Sequence, residues 1–289
     1  MPAPRFPIAS LLMTAPLVMI LVLGLAPLTV VLVWSVWSWD PVTYWIKPDF
    51  NLAGYAAILE AGRWTVIFST LAKAFASAVL CLLIAYPTAY AVHFLAGRRL
   101  SITLLALITI PFFTSYLIRS FSWRLVLGRA GVINSLLQDF GIVDAPVDWL
   151  LFSNFAVLIG LVASYLPFAT FPLLLSMRRV DPTYLAAAQD LGAGFWNSLT
   201  TILIPLTRSG IFAGFLFVFV MVVGSSTEVQ MLGGAGASIV SVMINDVMRV
   251  ANYPLAFAIS TIVLVVIFGF VLIGNRIFGL ASLFEDQAP

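Results

Sequence analysis

Six stretches of this chain, each 19 residues or longer, contain no Asp, Glu, Lys or Arg: 6–39, 74–92, 100–118, 149–177, 209–227 and 250–275. About 20 apolar residues in a helix reach across the hydrocarbon of a bilayer. Each stretch is therefore read as one membrane-crossing helix. The composition agrees, with 62% of the 289 residues hydrophobic and 9% charged, against about 25% charged in an ordinary soluble domain. A water-soluble globule is excluded. The expected fold class is all-α, a polytopic membrane protein with six transmembrane helices in a single domain over 1–289.

Cys81 is the one cysteine, so no internal disulfide can form, and its place inside an apolar run marks it as a packing residue. His93 is the one histidine, which argues against a histidine-based metal or catalytic cluster. The first run follows Arg5 as a signal peptide would, but it is far longer than the apolar core of about 7–15 residues in such peptides. No small-x-small cleavage site precedes Asp40, so the run reads as an uncleaved first span with its N-terminus in the cytoplasm. Trp34, Trp37, Trp39, Tyr44 and Trp45 cluster at its far end as an interfacial aromatic belt would.

Lys73, inside the second span, is read as snorkelling outward, with a polar interior as the other placement. Segment 118–149 mixes Arg119, Arg124, Arg129, Asp139, Asp144 and Asp148 with apolar residues, and is expected to lie amphipathic at the interface. Segment 225–254 carries Gly233, Gly234 and Gly236, which break any helix there. Broken backbone at membrane depth is tolerated only against protein or a water-filled cavity, so this segment is a pathway candidate.

Between the fourth and fifth runs lies DPTYLAAAQDLGAGFWNSLTTILIP, residues 181–205. Asp181 suits an N-cap and Pro182 the first helical position. Gly192 and Gly194 suit a helix stop, because glycine enters the left-handed conformation at little cost. The expected helix spans 182–191, with Ala186, Ala187 and Ala188 leaving its surface nearly flat. A short, flat helix between spans is shaped to be gripped by another protein.

The same residues resemble a loop found in permease subunits of ATP-binding-cassette importers, of the form E-A-A, three residues, G, nine residues, I-x-L-P. Ala186-Ala187-Ala188, Gly192, Ile202 and Pro205 keep that spacing, while Ala186 stands for the glutamate and Ile204 for the leucine. Further segments look like the spermidine and putrescine subgroup: Arg119-Ser120-Phe121-Ser122-Trp123, Gly131-Val132-Ile133-Asn134, Leu166-Pro167-Phe168, Asp190-Leu191-Gly192-Ala193 and Leu232-Gly233-Gly234. Ser226 and Val229 stand where that subgroup has an aromatic residue and a proline. The resemblance implies a bacterial inner-membrane permease that works with a second permease, two ATP-binding subunits and a periplasmic substrate-binding protein. It also implies that 181–205 is a cytoplasmic ATPase-docking loop, with Ala186, Ala187, Ala188, Asp190 and Gly192 as its docking residues. Orientation rests on this resemblance, since basic residues divide seven inside against six outside, a margin too small for the positive-inside rule.

No G-x-x-x-x-G-K-[ST] loop, H-E-x-x-H, CxxC or G-x-S-x-G motif is present, so neither an enzyme nor a bound cofactor is expected and a partner must hydrolyse ATP. Lipid is an expected partner and nucleic acid is not. An ion-coupled carrier would show an inverted repeat and mid-span carboxylates, and neither is seen. Glu228, at the outer end of the fifth run, is the first substrate-pathway candidate. Tyr165, Tyr116, Phe113 and Trp123 offer aromatic faces to a cation. Asp246 is a further carboxylate, with Arg249 one turn away as a possible ion-pair partner. The substrate expected from these residues and from the resemblance is a small organic cation of the polyamine kind or a related amine.

Overall fold

The structure is a computed structural model, and it describes residues 7–60, 62–234 and 237–278. Arg5, Ala235 and Gly236, which entered the reading above, lie outside the described residues. In chain order the elements begin with α1 (Pro7–Trp34), a short hairpin of β1 (Ser38–Asp40) and β2 (Trp45–Lys47), α2 (Ala53–Glu60) and α3 (Arg63–Tyr90). Then come α4 (Arg98–Thr109), α5 (Tyr116–Leu127), α6 (Val132–Asp139), α7 (Asn154–Met177) and α8 (Pro182–Asp190). The chain continues through α9 (Phe195–Ser198), α10 (Ile204–Leu206), α11 (Arg208–Gly224), α12 (Thr227–Leu232), α13 (Val240–Arg249) and α14 (Tyr253–Phe278). The fold is helical, as its apolar runs require, with the hairpin a small addition that the sequence reading did not anticipate.

Every apolar run contains a helix, but the runs do not make six straight spans. Among the described residues, four helices are long and apolar enough to cross a membrane: Pro16–Trp34, Arg63–Leu95, Asn154–Met177 and Tyr253–Phe278. The count reaches six only if each of two bent pairs is one span. Arg98–Phe113 and Tyr116–Asp139 meet at 105°, and Phe195–Leu206 and Arg208–Gly224 at 70°. Proline explains where these runs break. Pro111 and Pro205 each lack the N–H that an inner helical turn needs. At the second bend the Leu203 carbonyl accepts from both the Thr207 N–H at 2.9 Å and the buried Thr207 hydroxyl at 2.7 Å.

The residues form two compact units, one of residues up to Trp64 with Ile244–Val266, the other of Thr65–Met243 with the residues from Ile267 onward. In the first, Trp34 packs edge-on to Phe257 at 5.7 Å and Trp45 to Tyr253 at 5.9 Å. The hairpin pairs Trp39 with Ile46, and Lys47 reaches Asp40 across it at 3.4 Å. In the second unit α7 and α11 are the central pair. Gly210 and Gly214, four apart on α11, let it approach α7 closely: a Cβ on Gly210 would stand 2.8 Å from the Pro172 carbonyl oxygen, and one on Gly214 2.9 Å from that of Ala169. Small residues at this spacing are how membrane helices bring their backbones together.

Segment 118–149 was expected at the interface as a whole. In its first half α5 buries Arg119, Ser120 and Leu127 and leaves Ile118, Phe121 and Leu125 exposed, the two faces of an amphipathic helix. From Gly128 onward the segment is tied down by Asn134, whose fully buried amide donates to the Gly128 and Val147 carbonyls and accepts from the Val147 N–H at 2.7 Å.

Candidate functional site

Two places in the second unit gather the residues that the sequence singled out. The first is a cavity of about 380 Å³ where α11 ends. After Gly224 the chain turns through extended Ser225 and starts α12 at Thr227, which sends Glu228 back into the protein. Tyr165, Ser164 and Phe168 line the cavity from α7, and Tyr116 and Arg119 from α5. Phe168 packs edge-on against Phe112, their centroids 5.3 Å apart.

Glu228 is only 2% exposed, and among the described residues its Oε1 has no hydrogen-bond partner. The sequence placed this carboxylate at the water interface, where it would cost little. Burial reverses that, because an unpaired carboxylate in an apolar surround is expensive to hold. Arg119 lines the same cavity and is 8% exposed, yet it makes no ion pair with Glu228. Its Nη1 donates to the Pro111 carbonyl at 3.0 Å, its guanidinium sits 5.7 Å from the Tyr116 ring centroid, and its Nε has no partner. The cavity thus has one negative group with an unused oxygen, one positive group turned partly to backbone and ring, and two phenols.

Of the expected pathway residues, Glu228, Tyr165 and Tyr116 come together here. Phe113 is 80% exposed and its neighbour Phe112 takes the place at the cavity wall. Trp123 is half-buried but does not line the cavity, and Asp246 is exposed on α13 with no ion pair to Arg249. Arg119, Ser164 and Phe168 were missed. The signal was present for two of them, since Phe168 and Arg119 each lie three residues after a tyrosine on the same helix, which puts them on one face.

The Lys73 ammonium donates to the Ser238 carbonyl at 3.3 Å.

The second place is α8. The Asp181 carboxylate accepts from the Thr183 N–H at 2.9 Å, and this holds the Asp181 pKa below its ordinary value. Pro182 opens the helix. At the other end Gly192 has φ +80°, with Gly192 N–H donating to Gln189 and Ala193 N–H to Ala188, both at 2.9 Å. These are the two bonds of a Schellman cap, which only a left-handed residue can complete without strain. Ala186, Ala187 and Asp190 are exposed, while Ala188 is buried against its own chain. Just past the helix Leu191 is 88% exposed and Trp196 74%, with Tyr184 and Phe195 also outside. The sequence reading passed over this apolar rim.

Membrane-crossing helices, a cavity between them and a capped helix with an apolar rim define a transport subunit. Residues 82–281 match the family described as the binding-protein-dependent transport system inner membrane component, and the chain belongs to that family. It is 32% identical over 237 residues to the spermidine/putrescine transport system permease protein PotB of Haemophilus influenzae, covering 82% of each chain. It is 33% identical over 231 residues to PotB of Escherichia coli K12, covering 79% of this chain and 82% of that protein. A chain of a bacterial alginate transporter, crystallised with an alginate pentasaccharide-bound periplasmic protein, shares the fold: TM-score 0.76 at 17% identity, over 93% of this chain and 92% of that one. The chain is therefore a multi-pass inner-membrane permease of the importer class. These relatives are named as transport-system permeases, and none of the names describes an enzyme.

Proposed function

We propose that this chain forms half of the translocation pathway of an ATP-driven importer for a small organic amine, of the polyamine kind or a related amine-bearing metabolite. A second permease supplies the other half, two ATP-binding subunits supply the hydrolysis, and a periplasmic binding protein delivers the substrate. The N-terminus and the 181–205 loop face the cytoplasm, where α8 docks in a cleft of the ATPase through Ala186, Ala187 and Asp190. Leu191 and Trp196 extend that contact with apolar surface.

The observation that carries the substrate reading is the buried Glu228 with an unpartnered oxygen at a cavity wall beside Tyr116 and Tyr165. An ammonium group passing there gains a carboxylate and two ring faces, interactions that strengthen as water is excluded. The polyamine transport named for the relatives supports the same substrate class. Ser226 lines the cavity where the polyamine subgroup has an aromatic residue, and this favours a related amine over spermidine itself.

The test is uptake by the reconstituted importer with its binding protein, using putrescine, spermidine and a panel of monoamines. Glu228→Gln should leave the complex assembled and lower amine uptake about tenfold, the effect of losing one charge-assisted contact. Unchanged amine uptake in that variant, or transport of a sugar or inorganic anion in place of amines, removes the substrate reading.

A further inference from the structure

Residues 237–239 lie between α12 and α13 outside any helix or strand. Backbone outside a helix or sheet has N–H and C=O groups that need other partners when they are buried. Ala237, Ile239 and Val240 are all buried here. Something in the protein must therefore complete their hydrogen bonds.

Two side chains of α3 supply part of this, while the Ile239 carbonyl accepts from the Met243 N–H at 3.1 Å. Thr70 and Lys73 are three residues apart and share one helix face. The Thr70 hydroxyl is fully buried, donates to the Val66 carbonyl at 2.7 Å and accepts from the Val240 N–H at 2.9 Å. That N–H is one of those at the start of α13 with no partner inside its own helix. The Lys73 ammonium reaches the Ser238 carbonyl. At the far end of the same segment the Ser241 hydroxyl donates to the Ser225 carbonyl, which closes 225–241 into a loop. The loop that carries Glu228 is thus pinned on its return limb by one lysine and one threonine from a helix about 165 residues earlier.

We infer that Lys73 is a positioning residue for transport. Its ammonium, with the Thr70 hydroxyl, latches the limb 238–240 to α3 and so holds the Glu228 loop in register with the cavity. Lys73 does not line that cavity and touches no solute, so its action runs through the loop. A charged donor suits the task because an ammonium on a carbonyl makes a stronger bond than a neutral donor. The inference rests on the reading that the Glu228 loop borders the pathway.

The experiment uses the whole reconstituted importer with Cys81, the chain's one cysteine, replaced by alanine and Ser238→Cys as a reporter on the latched limb. The readouts are the rate of modification by a water-soluble maleimide and amine uptake. Lys73→Met should raise the modification rate about tenfold and lower uptake at unchanged complex yield, the shift expected for one lost charge-assisted bond. Lys73→Arg keeps a charged donor and should restore both. An unchanged modification rate in Lys73→Met overturns the latch. A raised rate with unchanged uptake overturns its part in transport. Glu228→Gln, measured alongside, separates the two readings: normal uptake there with impaired uptake in Lys73→Met sinks the substrate reading and leaves the latch standing.

Discussion

Helix α8 and the loop 225–241 both interrupt the membrane-crossing helices, and they are built on opposite plans. In α8 every stabilising contact at the ends is local. Asp181 caps Thr183 two residues on, and Gly192 and Ala193 close back on Gln189 and Ala188. The 225–241 loop, besides its own Ser241–Ser225 bond, is held by contacts from elsewhere: Thr70 and Lys73 from α3, and Gly160 from α7 beneath Leu232. A locally closed helix can move as a rigid piece with whatever grips it. A loop held by distant side chains changes shape only when those side chains let go. The pairing suits a subunit in which one end receives motion and the other end responds.

The largest effect that tests this contrast is at Ala187. It is exposed on α8, so Ala187→Trp leaves the fold alone and acts only on a partner surface. Overpacking an interface costs typically about 1–3 kcal/mol. Uptake and substrate-stimulated ATP hydrolysis should both fall by about tenfold or more, while the protein inserts at its normal level. If both activities survive, α8 is not gripped there.

A somewhat smaller loss is expected at Gly192, where nothing lies within 4 Å of an added Cβ but φ is +80°. A side chain there meets no neighbour, so the cost is the backbone strain alone, about 1–2 kcal/mol. Gly192→Val should open the cap and lower coupled ATP hydrolysis about fivefold, with Gly192→Asn closer to the wild type because asparagine tolerates the left-handed region. Equal activity for valine and asparagine would mean that the cap geometry does not matter for coupling.

The contrast also explains what could be read from the sequence. Cap, proline and glycine of α8 are one another's neighbours, so local rules found the helix to within a residue at its end. Glu228 was placed at the interface because it ends an apolar run, and only the backward turn of α12 buries it. The contact of Lys73 with Ser238 could not be read locally, because the two lie 165 residues apart in the chain. The third run looked like a continuous span by its lack of charge, although Pro111 stood inside it as a warning. Membrane hydropathy located the helices, and it is blind to which side of each helix meets protein.

In the loop, Gly160→Ala gives a milder perturbation. An added Cβ would come 2.5 Å from Leu232 Cδ1, the end of a flexible side chain, and 3.8 Å from the Glu228 side chain. Leu232 can rotate away, so α12 shifts slightly and uptake should fall about threefold, toward the low end of overpacking costs. ATP hydrolysis stimulated by the binding protein should stay within about twofold of normal, because α8 is untouched. A parallel loss of both activities would show that the two regions are not separable in this way.

The smallest effect belongs to Asp181. Its carboxylate is stabilised by the Thr183 N–H, which holds its pKa below the ordinary value of 3.8. A group with a depressed pKa contributes its stability above the unfolded value, and loses it as pH falls through the folded value. The cap is therefore complete throughout the range from about pH 5 to 8, where neither form titrates. Exchange protection of the Thr183 amide, corrected for intrinsic rates, should be flat across that range and decline only below about pH 4. Asp181→Asn keeps an N-cap acceptor and should match the wild type near neutrality, losing the acid-side decline altogether. Asp181→Ala should remove the protection at every pH, with uptake changed by less than about twofold, since the Pro182 start and the Gly192 cap remain. A decline already present at pH 6 would assign the first turn of α8 to some other titrating group.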